Sequence, residues 1–176
     1  MPQAHPTTGR RPPYGGTSCE YCGGQAVTAI DELIREHEQA IALIGEVRAA
    51  YRLRDLPRMA ESARRIAAVL APHTEVQERG LFPALAAAFP DRIGELEEEH
   101  RRIEAVLAEA EHGTPADPGW PGRFLLALVL LREHIVKEQD GLFPAATAIL
   151  GPADWDAVDA VRARCGTAAG RRPVRR

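Results

Sequence analysis

A gapless internal repeat constrains this chain more than any other feature of its sequence. The segment HTEVQERGLFPALAA, starting at His73, aligns on HIVKEQDGLFPAATA, starting at His134, and the two share the His, the Gly-Leu-Phe-Pro run and two alanines. Upstream, Glu32-Leu33-x-x-Glu36-His37 matches Glu95-Leu96-x-x-Glu99-His100 at nearly the same offset. The chain therefore reads as two related units. Each is a pair of segments with one histidine per segment.

All four segments carry helical spacing. The first runs from about Val27 to Tyr51, with Ile30, Leu33, Ile34, His37, Ile41 and Ile44 on one stripe. The second has Asp55 as N-cap and Pro57 in its first turn, where a missing N–H costs little, and runs to about Ala88 with a bend expected at Pro72. The third runs from Asp91, a candidate cap, to His112, and the fourth from Arg123 to Leu150. A shorter helix is expected from Ala153 to Arg164, closed by Gly166. Hydrophobic residues make up 45% of the chain but aromatic residues only 5%, a balance that favours helix over sheet. Nothing reads as a strand. The expected fold is all-α: an antiparallel up-down four-helix bundle over 27–165 with a short fifth C-terminal helix. A Pro/Gly-rich leader (1–26) and a basic tail (166–176) are expected to be irregular and flexible.

The charge balance excludes several classes of partner. With 22 basic and 25 acidic residues the formal charge is −3, which gives no electrostatic reason to expect nucleic acid or an anionic membrane. The longest apolar run, Phe124 to Leu131, falls well short of the ~20 residues that span a bilayer, and the N-terminus has no apolar signal-peptide core. Three cysteines are too few, and odd in number, for a secreted disulfide scaffold. A cytoplasmic protein is expected; the sequence leaves its oligomeric state open. Cys19-x-x-Cys22 is a lone CxxC without a second motif or a βαβ context, open to a local disulfide or to metal binding with His5 or Cys165.

The histidines carry the chemistry. His5 and His112 lie in the leader and at a helix end, whereas His37, His73, His100 and His134 occupy equivalent places, one on each long helix. Any one of them alone reads as a hydrogen-bonded core residue. Four in one layer would be costly to desolvate unless something shared satisfies them, and a metal does so. His100 and His134 are each followed at i+4 by a carboxylate, Glu104 and Glu138, on the same helix face. Mixed imidazole and carboxylate donors suit iron or manganese better than structural zinc, and they are too many for one ion. A ferritin-like site needs ExxH on each of two helices, whereas Glu97-x-x-His100 and Glu109-x-x-His112 fall on one segment. The bland account of the repeated LFP is a core Phe82 and Phe143, with Pro83 and Pro144 kinking or ending the helices.

From about Ile30 to Leu150 this order resembles the hemerythrin-like (HHE cation-binding) domains: a lone His, then an HxxxE-type segment followed by LFP, and then both again. The resemblance implies a four-helix bundle holding a carboxylate-bridged, non-haem di-iron centre, with two irons per chain, that binds oxygen, nitric oxide or peroxide. By position, His37 and His73 would ligate one iron, His100 and His134 the other, and Glu138 would bridge. Two departures stand out. Oxygen-carrying members have a second His where this chain has Glu104, which resembles the bacterial and regulatory members. Where the second helix should supply a bridging Glu, four residues after His73, this chain has Gln77. Glu78 follows at i+5, but on a regular α-helix a step of five rotates it ~140° from His73, against ~40° for a step of four. Loss of one bridge is expected to weaken the second iron. Three functions remain open on the sequence: sensing, storing or scavenging a small ligand; di-iron oxidase or peroxidase chemistry; and a bundle that has lost part of its metal site.

Overall fold

The computed structural model describes residues 19–166, together with most of their side chains. The leader as far as residue 18, the tail from residue 167, and the side chains of Cys19 and Cys22 lie outside the described residues. Helices α1 (Cys19–Arg52) and α2 (Leu56–Val76) form the first hairpin, and α4 (Pro90–Ala108) and α5 (Trp120–Lys137) form the second. Short helices α3 (Phe82–Leu85) and α6 (Phe143–Ile149) extend α2 and α5, and α7 (Pro152–Cys165) closes the chain. Helix α1 packs on α2 and α5, and α4 packs on the same two, which closes an antiparallel four-helix ring. No strand occurs among the described residues.

Local chemistry explains the ends. Asp55 caps α2 by accepting a hydrogen bond from the Arg58 N–H at 3.0 Å. Gly166, at φ 59°, ends α7 in the left-handed region that glycine tolerates. Two boundaries differ from expectation. Helix α1 begins at Cys19, eight residues before the predicted Val27, because Ala26 and Ala29 pack into the core beside α7 and hold the added turns. The third long helix ends at Ala108, four residues before His112, in a series of turns that reaches Gly113.

The larger correction concerns the bend. Helix α2 runs through Pro72 without interruption, and the helical ladder changes instead at Gln77–Leu81, a π-helical turn. The second repeat has the same π turn at Glu138–Leu142, where Glu133 stands in the place of Pro72. Pro72 is therefore not the cause. Both π turns run straight into Phe-Pro: Pro83 and Pro144 lack an N–H, and their rings crowd the carbonyls four residues back, Arg79 and Asp140. Widening the ladder relieves that crowding. The Phe82 N–H donates to the Gln77 carbonyl and the Phe143 N–H to the Glu138 carbonyl, each five residues back.

The core has two apolar parts. One fills the end of the bundle near Val47, Ile66, Leu107 and Phe124; the other holds Leu33, Leu81, Phe82, Leu96 and Phe143 under α7, whose Trp155, Val158 and Val161 cover it. Between them lies a polar layer containing His37, His73, His100 and His134. Arg162 of α7 donates to Glu32 of α1, tying the cover down.

The shared glycines of the two π turns face different neighbours. A Cβ on Gly80 would lie 3.2 Å from the Val158 backbone, whereas one on Gly141 would meet only the tip of Arg92. Gly→Ala in a helix gains roughly 0.5–1 kcal/mol, and overpacking a fixed backbone costs about 1–3 kcal/mol. Gly80→Ala is expected to lower stability by about 1 kcal/mol, and Gly141→Ala to leave it unchanged or raise it. Urea unfolding of the two variants checks this: equal stabilisation by both would refute the close approach of α7.

Candidate metal centre

The structure brings four of the eight sequence-predicted positions together through their ring nitrogens. The Nε2 atoms of His37 and His73 lie 3.2 Å apart, and those of His100 and His134 lie 3.0 Å apart. Each pair joins the two helices of one hairpin. Glu138, fully buried, stands between the pairs: one carboxylate oxygen is 3.0 Å from His37 Nε2 and the other 3.2 Å from His134 Nε2. Donor atoms of His37, His73 and Glu138 all lie within 4.8 Å of one another, as do those of His100, His134 and Glu138.

This geometry fits a cation in each group. Two nitrogens ~2.1 Å from one ion and at right angles to it are ~3.0 Å apart, close to both observed separations. Neither Glu138 oxygen has a well-directed hydrogen-bond partner although both are buried, and no thiolate is present in either group. A buried carboxylate set among imidazole nitrogens is a donor set that suits a metal cation.

The other three predicted positions, besides the histidines and Glu138, are placed differently. Gln77 is fully buried, and neither its amide oxygen nor its amide nitrogen has a partner. Glu78 is half-buried, and its carboxylate accepts a hydrogen bond from His100 Nδ1 at 3.0 Å, on the far side of the ring from His134. A regular helix would have swung Glu78 away; the π turn changes the rotation. Glu104 is exposed and belongs to neither donor group. Together with Leu70 it lines both a cavity of about 10 Å³ against the four histidines and an adjoining open cleft of about 380 Å³ between α2 and α4.

Several site residues escaped the sequence reading. Glu36 accepts from His73 Nδ1 at 3.0 Å and Glu99 from His134 Nδ1 at 2.9 Å, so each braces the histidine of the neighbouring helix. The signal was present: both repeats contain Glu immediately before the first His. Lys137 in turn holds Glu99 at 2.5 Å and also pairs with Glu95. Phe82 and Phe143 are core residues, as expected, but each also stacks on a histidine of the opposite hairpin. Phe82 lies against His100 and Phe143 against His37, both at 5.7 Å between ring centres.

The metal-free charge state follows from these contacts. Burial lowers His37, and lowers His100 to about 4 with help from the neighbouring His134. Burial would lower His73 and His134 too, but the carboxylates outweigh it. Glu138 and Glu36 push His73 up to about 9, and Glu138 and Glu99 raise His134. Glu138 stays well below the usual carboxylate range despite its burial, because His134, His37 and His73 favour its anion. Each hairpin thus pairs a histidine lowered by burial with one raised by its carboxylates.

A sequence model of the hemerythrin HHE cation binding domain matches residues 28–146, a span containing all four histidines and both π turns. No curated protein matches the chain significantly. No solved structure does so either.

The raised and lowered histidines predict a two-sided pH profile for the metal-free protein. His73 contributes stability as a cation, in full below its ordinary value of 6.5 and lost as pH climbs through about 9. His100 acts in the opposite sense: below pH 6.5 the unfolded chain takes up a proton that the folded protein refuses until about 4, so stability falls towards acid. Urea midpoints of chelator-treated protein should peak near neutrality and drop towards both pH 4.5 and pH 9. A flat profile would contradict the assignment.

Proposed function

Because the chain belongs to the hemerythrin HHE cation-binding family, we propose that the histidine layer holds a pair of iron ions serving a small ligand: oxygen, nitric oxide or peroxide. His37 and His73 hold one ion, His100 and His134 the other, and Glu138 lies between. The observation that carries this reading is the buried Glu138 carboxylate, which faces ring nitrogens from both hairpins and has no directed donor of its own. Gln77, at the repeat position equivalent to Glu138, offers a neutral oxygen where the family pattern has an anion. Bound iron would supply an exchangeable coordination position and one-electron chemistry.

The chain's own residues limit what can reach that position. The room beside the rings, about 10 Å³, is on the scale of one water-sized molecule. Leu70, Ile103 and Leu131 line it beside the histidines, Thr74 and Glu104, and its size admits only a small guest. Sensing, storage or scavenging of such a molecule suits this geometry.

Protein purified after iron-replete expression is expected to carry about two irons per chain, with ligand-to-metal charge-transfer bands in the near ultraviolet. A well-folded protein holding only zinc, or no metal, would overturn the proposal. Gln77→Glu restores a second carboxylate and is expected to tighten iron retention against a chelator, because a hard cation prefers an anionic oxygen; equal retention would make position 77 a bystander. Steady-state peroxide turnover separates an oxidase or peroxidase from a binding protein.

A further inference from the structure

The two halves of the layer are not braced alike. In the repeat, Gln77-Glu78 aligns with Glu138-Gln139, so acid and amide exchange places between the two π turns. One carboxylate is thereby placed between the ring pairs and the other behind His100, whose Nδ1 donates to Glu78 at 3.0 Å. His37 is the repeat equivalent of His100, and its Nδ1 is buried without a partner. The same imbalance recurs one step further out. Glu99, behind His134, is gripped by Lys137, whereas the equivalent of Lys137 is Val76, and Glu36 keeps a buried oxygen without a partner. Apart from the Glu138 carboxylate, every buried side-chain polar atom lacking a partner among the described residues lies in the first hairpin.

Outer carboxylates fix the orientation of a ligating histidine and raise its basicity, and losing one typically costs ~10–100-fold in metal affinity. We propose that the two metal positions are inequivalent: the His100–His134 position is tight and fills first, and the His37–His73 position is weak and exchanges readily. This rests on the metal-pair reading above, with Glu78 acting as a positioning residue. At limiting metal the protein would hold one ion per chain, and a different divalent cation could enter the second place.

Anaerobic titration of the metal-free full-length chain with Fe(II), read by calorimetry and by bound metal per chain, tests the inference. Two steps are expected, separated by ~10–100-fold. Glu78→Gln, isosteric and half-exposed, should weaken the first step and leave the second. Gln139 lines the α1–α5 groove beside Ile41, one turn from His37; Gln139→Glu should tighten the second step and draw the two together. Two equal steps in the unaltered protein would overturn the inference, as would a loss confined to the second step in Glu78→Gln. An unchanged second step in Gln139→Glu would also count against it, and circular dichroism confirms that each variant is folded. Failure to bind any metal would instead overturn the metal-pair reading itself.

Discussion

The Glu138 carboxylate, fully buried among imidazoles from both hairpins, is the interaction around which the rest of the structure is arranged. An ionised carboxylate removed from water costs several kcal/mol, repaid only by good geometry and opposite charge. Here the repayment comes from His37, His73 and His134, which hold Glu138 anionic. The layer can exist because separate apolar clusters lie above and below it and exclude water from both sides. Phe82 and Phe143 close the boundary by stacking on His100 and His37, so that the aromatic part of the repeat serves packing and ring orientation together.

The π turns connect this layer to the helix ends. Each begins at the residue four places after the second histidine of its hairpin, Gln77 or Glu138, and ends against Phe-Pro. Widening the ladder there gives position i+5 a new direction, which allows Glu78 to reach the outer nitrogen of His100. Proline chemistry several residues downstream thus decides which side chains stand behind the histidine rings. The close approach of α7 at Gly80 sits on the same turn, so the fifth helix supports the site as well as covering the core.

What could be read from the sequence divides along physical lines. Helical periodicity and the gapless repeat were enough for the four helices, their pairing and the four histidines, because each is a property of local spacing. The π turns were not legible: an α-helical rotation carries Glu78 away from the site, and although Pro83 and Pro144 read as residues that kink or end a helix, so did Pro72, which leaves the ladder unbroken. Nor were the braces. Glu36 and Glu99 sit next to histidines in the chain but serve the histidine on the facing helix, a contact that exists only after the hairpin closes. Helix α1 begins early for a similar reason, since Ala26 and Ala29 are held by tertiary packing that no propensity of the Gly-rich leader foretells.

The entrance to the layer bears on the class of guest. The cleft between α2 and α4 meets the small cavity at Leu70 and Glu104, and its rim carries Glu104 and Glu111 against a single cation, Arg64. That guanidinium already donates to the Ala110 carbonyl at 2.9 Å, so it is partly committed to the backbone. Two carboxylates at the mouth oppose an incoming anion and leave a neutral molecule unaffected. With room for about one water-sized molecule beyond them, size and charge act in the same direction. They favour small uncharged molecules over larger or anionic ones, and they do so with side chains that belong to neither donor group.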